Sequence, residues 1–92
     1  MVYQLSYDLK GPEADYDDLY NTINLQGEAL RILGSTWLID SCKTAEQITD
    51  DLSVKIKKGD RFFISQINCG QYNGWHSRST WDWISARLHP NT

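Results

Sequence analysis

The chain predicts an α+β domain whose elements run strand, helix, strand, strand, helix, strand, followed by a loop and a last helix. Three observations carry that order. Residues 2–7 place β-branched and aromatic side chains in near-alternation, and Arg61–Ile67 is rich in the same residue types, as strands require. Residues 15–26 and 44–58 space their apolar side chains at three and four, the period of a helix with one buried stripe. Between those two helices, a pair of short apolar runs is broken only by Gly34-Ser35, which reads as a hairpin.

The first strand, residues 2–7, begins almost at the first residue. Asp8 sits where it runs out, before the loop residues Lys10-Gly11-Pro12. In the first helix Tyr16, Leu19, Tyr20 and Ile23 share a stripe. Asp15, Asp17 and Asp18 put negative charge in its first turn, where the helix dipole favours it, and Gly27 stops it. Residues 29–33 and Thr36–Asp40 are the arms of the hairpin. Thr44 followed by Gln47 is a capping box, and Ile48, Leu52 and Ile56 step along one face toward Gly59. Lys55, Lys57 and Lys58 fall in the last turns, where cations suit the dipole. Arg61–Ile67 is the fourth strand, with Phe62, Ile64 and Gln66 on one face and Phe63, Ser65 and Ile67 on the other. Residues 68–77 are turn-rich. Ser79 then caps a helix with Trp81, Ile84 and Leu88 on one side, ended by Pro90. A βαββαβ order builds the ferredoxin-like sandwich, an antiparallel four-stranded sheet with two helices on one face. Residues 1–67 form that core and residues 68–92 add the loop and the extra helix, so the 92 residues are one domain. The second face of the sheet is left to the C-terminal helix or to a second subunit.

At 92 residues and 40% hydrophobic content, the chain supports one core near the small end of what folds alone. Four Trp, five Tyr and two Phe exceed what so small a core holds, and a partner commonly covers the remainder, so a homodimer that buries Trp37 or Trp83 is expected. A net charge of −3 argues against a strongly electrostatic nucleic-acid binder, while leaving room for a local basic patch. No apolar run approaches the roughly 20 residues that span a bilayer, and the opening residues lack the pattern of a secretory signal, so a cytoplasmic chain with no membrane partner is expected. Cys42 and Cys69 lie in no metal-like spacing and are expected as free thiols.

Asp8 is the first candidate site residue. A carboxylate at a strand end is held rigidly while its tip reaches solvent, which suits a reactive group; an Asp there also closes turns. The run Glu13, Asp15, Asp17, Asp18 looks like a metal cluster and is explained as well by a solvated helix start. Lys55, Lys57 and Lys58 are the basic cluster, able to meet phosphate, with Arg31 and Arg61 as possible members. His76 beside Trp75, with Arg78 two residues on, forms a second candidate that can act as a base or stack on a nucleobase. Against that, Tyr72 and Trp75 can plug the core from the loop. Trp81 and Trp83 are two apart on a helix and cannot share a face, so one is expected exposed or against a partner. His89 is expected solvated in the tail.

Tyr7-Asp8-Leu9, Ser35-Thr36-Trp37-Leu38 and Gly59-Asp60-Arg61-Phe62-Phe63 resemble small bacterial proteins labelled SinR-family. Those are similar in turn to the small ferredoxin-like CRISPR adaptation nuclease family and its virulence-associated protein D relatives. The resemblance spans residues 1–67 by element order. In the nuclease family an aspartate ending the first strand is proposed to bind a divalent metal across a dimer axis, a role that carries over to Asp8 alone, with Mg²⁺ as the cofactor. The family continues with a further strand that helps the dimer, where this chain is expected to carry a helix. Two functions follow as expectations. One is a homodimeric interaction module binding RNA, DNA or a protein, without a certain cofactor. The other is a metal-dependent nuclease in which Asp8 is catalytic and Lys10 touches phosphate.

Overall fold

Tyr3 and Leu5 point to the same side of the first strand and are almost wholly buried, so that side of the sheet carries the core. The structure, a computed structural model, describes residues 1–89. Its elements are β1 (Val2–Asp8), a 3₁₀ turn at Glu13–Tyr16, α1 (Asp17–Leu25), β2 (Glu28–Leu33), β3 (Thr36–Asp40), α2 (Ala45–Ser53), β4 (Arg61–Ile67) and α3 (Arg78–Leu88). The strands form one sheet in the order β2-β3-β1-β4, with every neighbouring pair antiparallel. This α+β arrangement, with a four-stranded antiparallel sheet and three helices, is compatible with a ferredoxin-like sandwich. Among the described residues no helix is long and apolar enough to cross a membrane.

The core lies between one sheet face and the two helices α1 and α2. Tyr3, Leu5, Trp37 and Ile39 come from the strands, Tyr16 from the 3₁₀ turn, and Leu19, Ile23, Ile48 and Leu52 from the helices. Burying each of these side chains contributes roughly 1.5–3 kcal/mol. Trp37, 7% exposed, is thus consumed within the chain and is not left over for a partner. The alternate residues of β3, Thr36 and Leu38, face the other way and are also buried. They are covered by α3 and the loop before it: Leu38, Tyr72, Thr80, Trp81 and Ile84 line one cavity of about 250 Å³. Arg87 of α3 ion-pairs with Glu28 of β2 and with Asp40 of β3.

Several boundaries differ from the sequence reading, each for a tertiary reason. Strand β1 runs through Asp8, because Asp8 pairs with Arg61 of β4. The first helical turn is a 3₁₀ turn, and α1 starts at Asp17. Helix α2 keeps its capping box, with the Thr44 hydroxyl accepting the Gln47 amide at 3.1 Å, but it ends at Ser53 rather than at Lys58. The cause is Asp60, whose carboxylate accepts the Lys57 amide at 2.8 Å while its own amide donates to the Lys57 carbonyl at 3.0 Å. That turn closes through Gly59 at φ +89°, a conformation that favours glycine. Lys55, Lys57 and Lys58 therefore stand in a connection and not at a helix terminus. Helix α3 is capped by Ser77, not Ser79, since Ser77 lies three residues before the Thr80 amide that its hydroxyl accepts. The expected stop at Pro90 lies outside the described residues.

Candidate functional site

Antiparallel register places the end of β1 beside the start of β4, so Asp8 and Arg61 are cross-strand neighbours although 53 residues separate them. Lys10 Nζ donates to Asp8 Oδ2 at 2.9 Å, and Arg61 Nη2 donates to the same oxygen at 3.3 Å. All three side chains are exposed. Hydrogen bonds from Lys10 and then Arg61 hold the Asp8 carboxyl below its usual range. Asp8 is therefore an ionised carboxylate already matched by two cations.

Beneath it Asp60 is buried and ties the same end together. It accepts the Lys10 amide at 2.8 Å and the Lys57 amide at 2.8 Å, and the Tyr16 phenol donates to both its oxygens at 3.0 and 2.9 Å. Desolvation raises its pKa, but the amides and the phenol outweigh that and leave it below the ordinary value. Tyr16 in turn accepts the Gly11 amide at 3.1 Å, and burial, with Asp60 adding to it, pushes its phenol up. Asp60 is thus the group that orders the loop carrying Lys10, a role that its position before a strand did not reveal.

A polar cleft of about 240 Å³ opens between this loop and the hairpin turn, lined by Tyr7, Asp8, Glu13, Tyr16, Tyr20 and Arg31 among others. Arg31 does not join the lysines. Its Nη1 donates to Glu13 at 2.6 Å and its Nε to the Gly34 carbonyl at 3.1 Å. The guanidinium lies 5.0 Å from the Tyr20 ring centre and 5.7 Å from that of Trp37. Trp37 Nε1 donates to the Tyr7 hydroxyl at 3.0 Å, which fixes the aromatic wall. Burial, followed by Tyr7, raises the Tyr20 phenol. Strand pattern at Tyr7 and Trp37 and the helical stripe at Tyr20 marked these as inward positions; only packing shows them grouped beside a cation.

The other candidates are dispersed. Lys57 pairs with Asp15 at 3.8 Å and lies over the Tyr16 ring at 4.8 Å, while Lys55 and Lys58 are exposed. The acidic run is likewise divided, with Glu13 on Arg31, Asp15 on Lys57, and Asp17 and Asp18 in the first turn of α1. His76 Nε2 donates to the Ile32 carbonyl and Nδ1 accepts the Ser77 amide at 2.8 Å, so the ring anchors the loop to β2. Arg78 is exposed at the first position of α3. His76 sits against β2, which β3 separates from the β1–β4 pair that holds Asp8.

Three aromatic expectations need correction. Trp75 is 100% exposed and plugs no core. Trp81 and Trp83 are both half-buried, Trp81 stacked on Tyr72 and Trp83 beneath the Arg87 guanidinium at 3.8 Å, so neither is left bare. His89 is half-buried against Tyr72, not solvated.

Among the described residues no group of three or more His, Cys, Asp or Glu stands close enough to hold a metal ion. Mg²⁺ takes about six oxygen ligands. One chain offers it a single carboxylate at Asp8, paired with two cations, so the donor set of one chain does not fit the ion. No family model matches this chain, and no curated protein matches it.

Proposed function

We propose that the protein is a small homodimeric interaction module with a ferredoxin-like, CRISPR-adaptation-nuclease-like fold, pairing through the open half of its sheet and offering its strand-end cations to a nucleic acid. The observation that carries this reading is Phe63. It stands mid-strand in β4 opposite Ser6 and is 72% exposed. Helix α3 and the loop before it lie over β2 and β3 on that face and reach Gln4 and Ile67, while the pairs Ser6–Phe63 and Asp8–Arg61 form the open end. An exposed aromatic on a partly covered face is surface that a partner buries. An isologous pairing there covers Phe63 and leaves Lys10 and Arg61 at the rim, where phosphate can replace Asp8 as their counter-ion. The resemblance over residues 1–67 supports the same reading. Sedimentation tests it. Wild type is expected as a dimer at tens of micromolar, and Phe63→Glu as a folded monomer. A wild-type monomer at high micromolar concentration removes the proposal. With labelled single-stranded RNA or DNA, Lys10→Glu and Arg61→Glu are each expected to weaken binding and reduce its salt dependence.

A second reading rests on a specific feature of Asp8, which is exposed, ionised and on the same open half-face. In a dimer two copies of Asp8 supply what one chain lacks for Mg²⁺, and the protein cleaves nucleic acid. Asp8→Asn then abolishes metal-dependent cleavage and leaves the dimer intact. Cleavage that survives a chelator, or equal cleavage by the variant, rejects this reading.

A further inference from the structure

A cavity of about 250 Å³ lies between the second face of the sheet and α3 with its preceding loop. Its walls are apolar, formed by Ile32, Leu38, Ile67 and Ile84, with Tyr72 stacked on Trp81 at 6.4 Å between ring centres. Among the described residues no Lys, Arg, Asp or Glu lines it, and both ring nitrogens of His76 are used within the protein. Leu33 and Trp75 also line it, and both are exposed, so it opens to solvent past two apolar side chains. Two buried hydroxyls reach it. Thr36 has a partner in the Ser6 hydroxyl, 3.2 Å away. Thr80, 5% exposed, accepts the Ser77 hydroxyl at 3.2 Å, and its own proton meets no acceptor among the described residues.

We propose that this cavity is a binding site for a small, flat, uncharged aromatic carbonyl compound, with Thr80 as the donor to its carbonyl oxygen. An apolar cavity of about 150 Å³ binds benzene, so the larger volume here takes a second fused ring. The stacked Tyr72 and Trp81 give an aromatic wall against which such rings pack. A charged ligand would leave its ion unpaired in apolar surroundings, which excludes carboxylates and amines. A pure hydrocarbon would fill the space and leave the buried Thr80 proton unbonded. A hydroxyl would accept that proton but bring an unmatched one of its own, whereas a carbonyl oxygen only accepts. Apolar space with one placed polar group is the usual construction of a small-molecule site. None of Asp8, Lys10, Arg61 and Phe63 lines the cavity, so the site does not depend on the strand-end cations or on the open end of the sheet.

The probe is indanone, a bicyclic aromatic ketone, and indane is the same bicycle without the carbonyl. The folded protein is titrated with each, and the tryptophan indole N–H signals are followed by heteronuclear NMR. With indanone, Trp81 in the cavity wall is expected to shift, while Trp37, in the core on the opposite sheet face, stays in place. The expected Kd is roughly 100 µM, the scale for a ligand of about ten heavy atoms. Indane carboxylate should leave Trp81 unshifted. Thr80→Val keeps the side-chain shape and removes the donor, so it should weaken indanone about fivefold and leave indane unchanged. Should Thr80→Val fail to fold, the wild-type titrations decide alone. No Trp81 shift at millimolar indanone, equal shifts of Trp81 and Trp37, or equal loss of indanone and indane in Thr80→Val overturns the proposal. So does indanone binding that weakens as the protein concentration rises, because a second copy then occupies the cavity.

Discussion

Asp60 accepts two main-chain amides and a buried phenol, whereas Asp8 accepts two long side chains that water reaches. Removing Asp60 strands buried donors that have no other partner in place, while removing the Asp8 charge frees exposed groups to be hydrated. Asp60→Ala should therefore lower the melting temperature by roughly 10 °C, on the usual conversion for a domain of this size, and Asp8→Asn by about 2 °C at most. Differential scanning calorimetry separates the two. The pH dependence follows with its sign. Both carboxyls have folded values below the ordinary 3.8, so their stabilisation is complete above that value and is lost as the pH falls through the lower, folded values. Wild type should thus lose stability on acidification below about pH 4, and Asp60→Asn should show a shallower loss. Equal acid slopes would mean that Asp60 does not supply the proton linkage.

Element ends in this fold are decided by backbone hydrogen bonds and by close approach. The capping box at Thr44 satisfies two amides, one in each direction. Thr44→Ala should cost about 1 kcal/mol in urea unfolding. At the junction of α1 and β2, a Cβ on Gly27 would stand 2.0 Å from the Asp40 carbonyl oxygen, a main-chain atom held in the sheet. Gly27→Ala should cost on the order of 3 kcal/mol, because the strand must shift to admit a methyl group. Gly74 meets nothing within 4 Å, so Gly74→Ala should change stability by less than about 0.5 kcal/mol. If the two variants unfolded alike, the tight approach at Gly27 would not be present in solution.

At the scale of the whole molecule, one sheet face is filled by α1 and α2 and the other is shared between α3 and open surface. The open part carries Phe63, and its neighbours Ser6 and Ser65 are small and polar. Burial of that patch by a second copy makes stability depend on concentration. The melting temperature of wild type should rise over a hundredfold range of concentration, and that of Phe63→Glu should stay constant. A flat wild-type response would leave the open face as free surface.

The element order, the capping box and the stop at Gly27 were legible in the sequence because each arises from side-chain period or local backbone geometry, which act within a turn or two. Asp8 was legible as a strand-end carboxylate for the same reason. Its partner Arg61 was not, since the β1–β4 register joins residues 53 apart. Helix α2 stops short of its apolar and basic pattern because Asp60, a residue beyond that pattern, takes the Lys57 amide. Ser77 and Ser79 offer equal hydroxyls, and the choice of Ser77 goes with the loop that His76 pins to Ile32. The cavity that Thr80 and Trp81 line had no spacing to announce it. Local preferences act only over short stretches of chain, while distant side chains are brought together by the packing of one shared core, and that packing was decided by the tertiary structure alone.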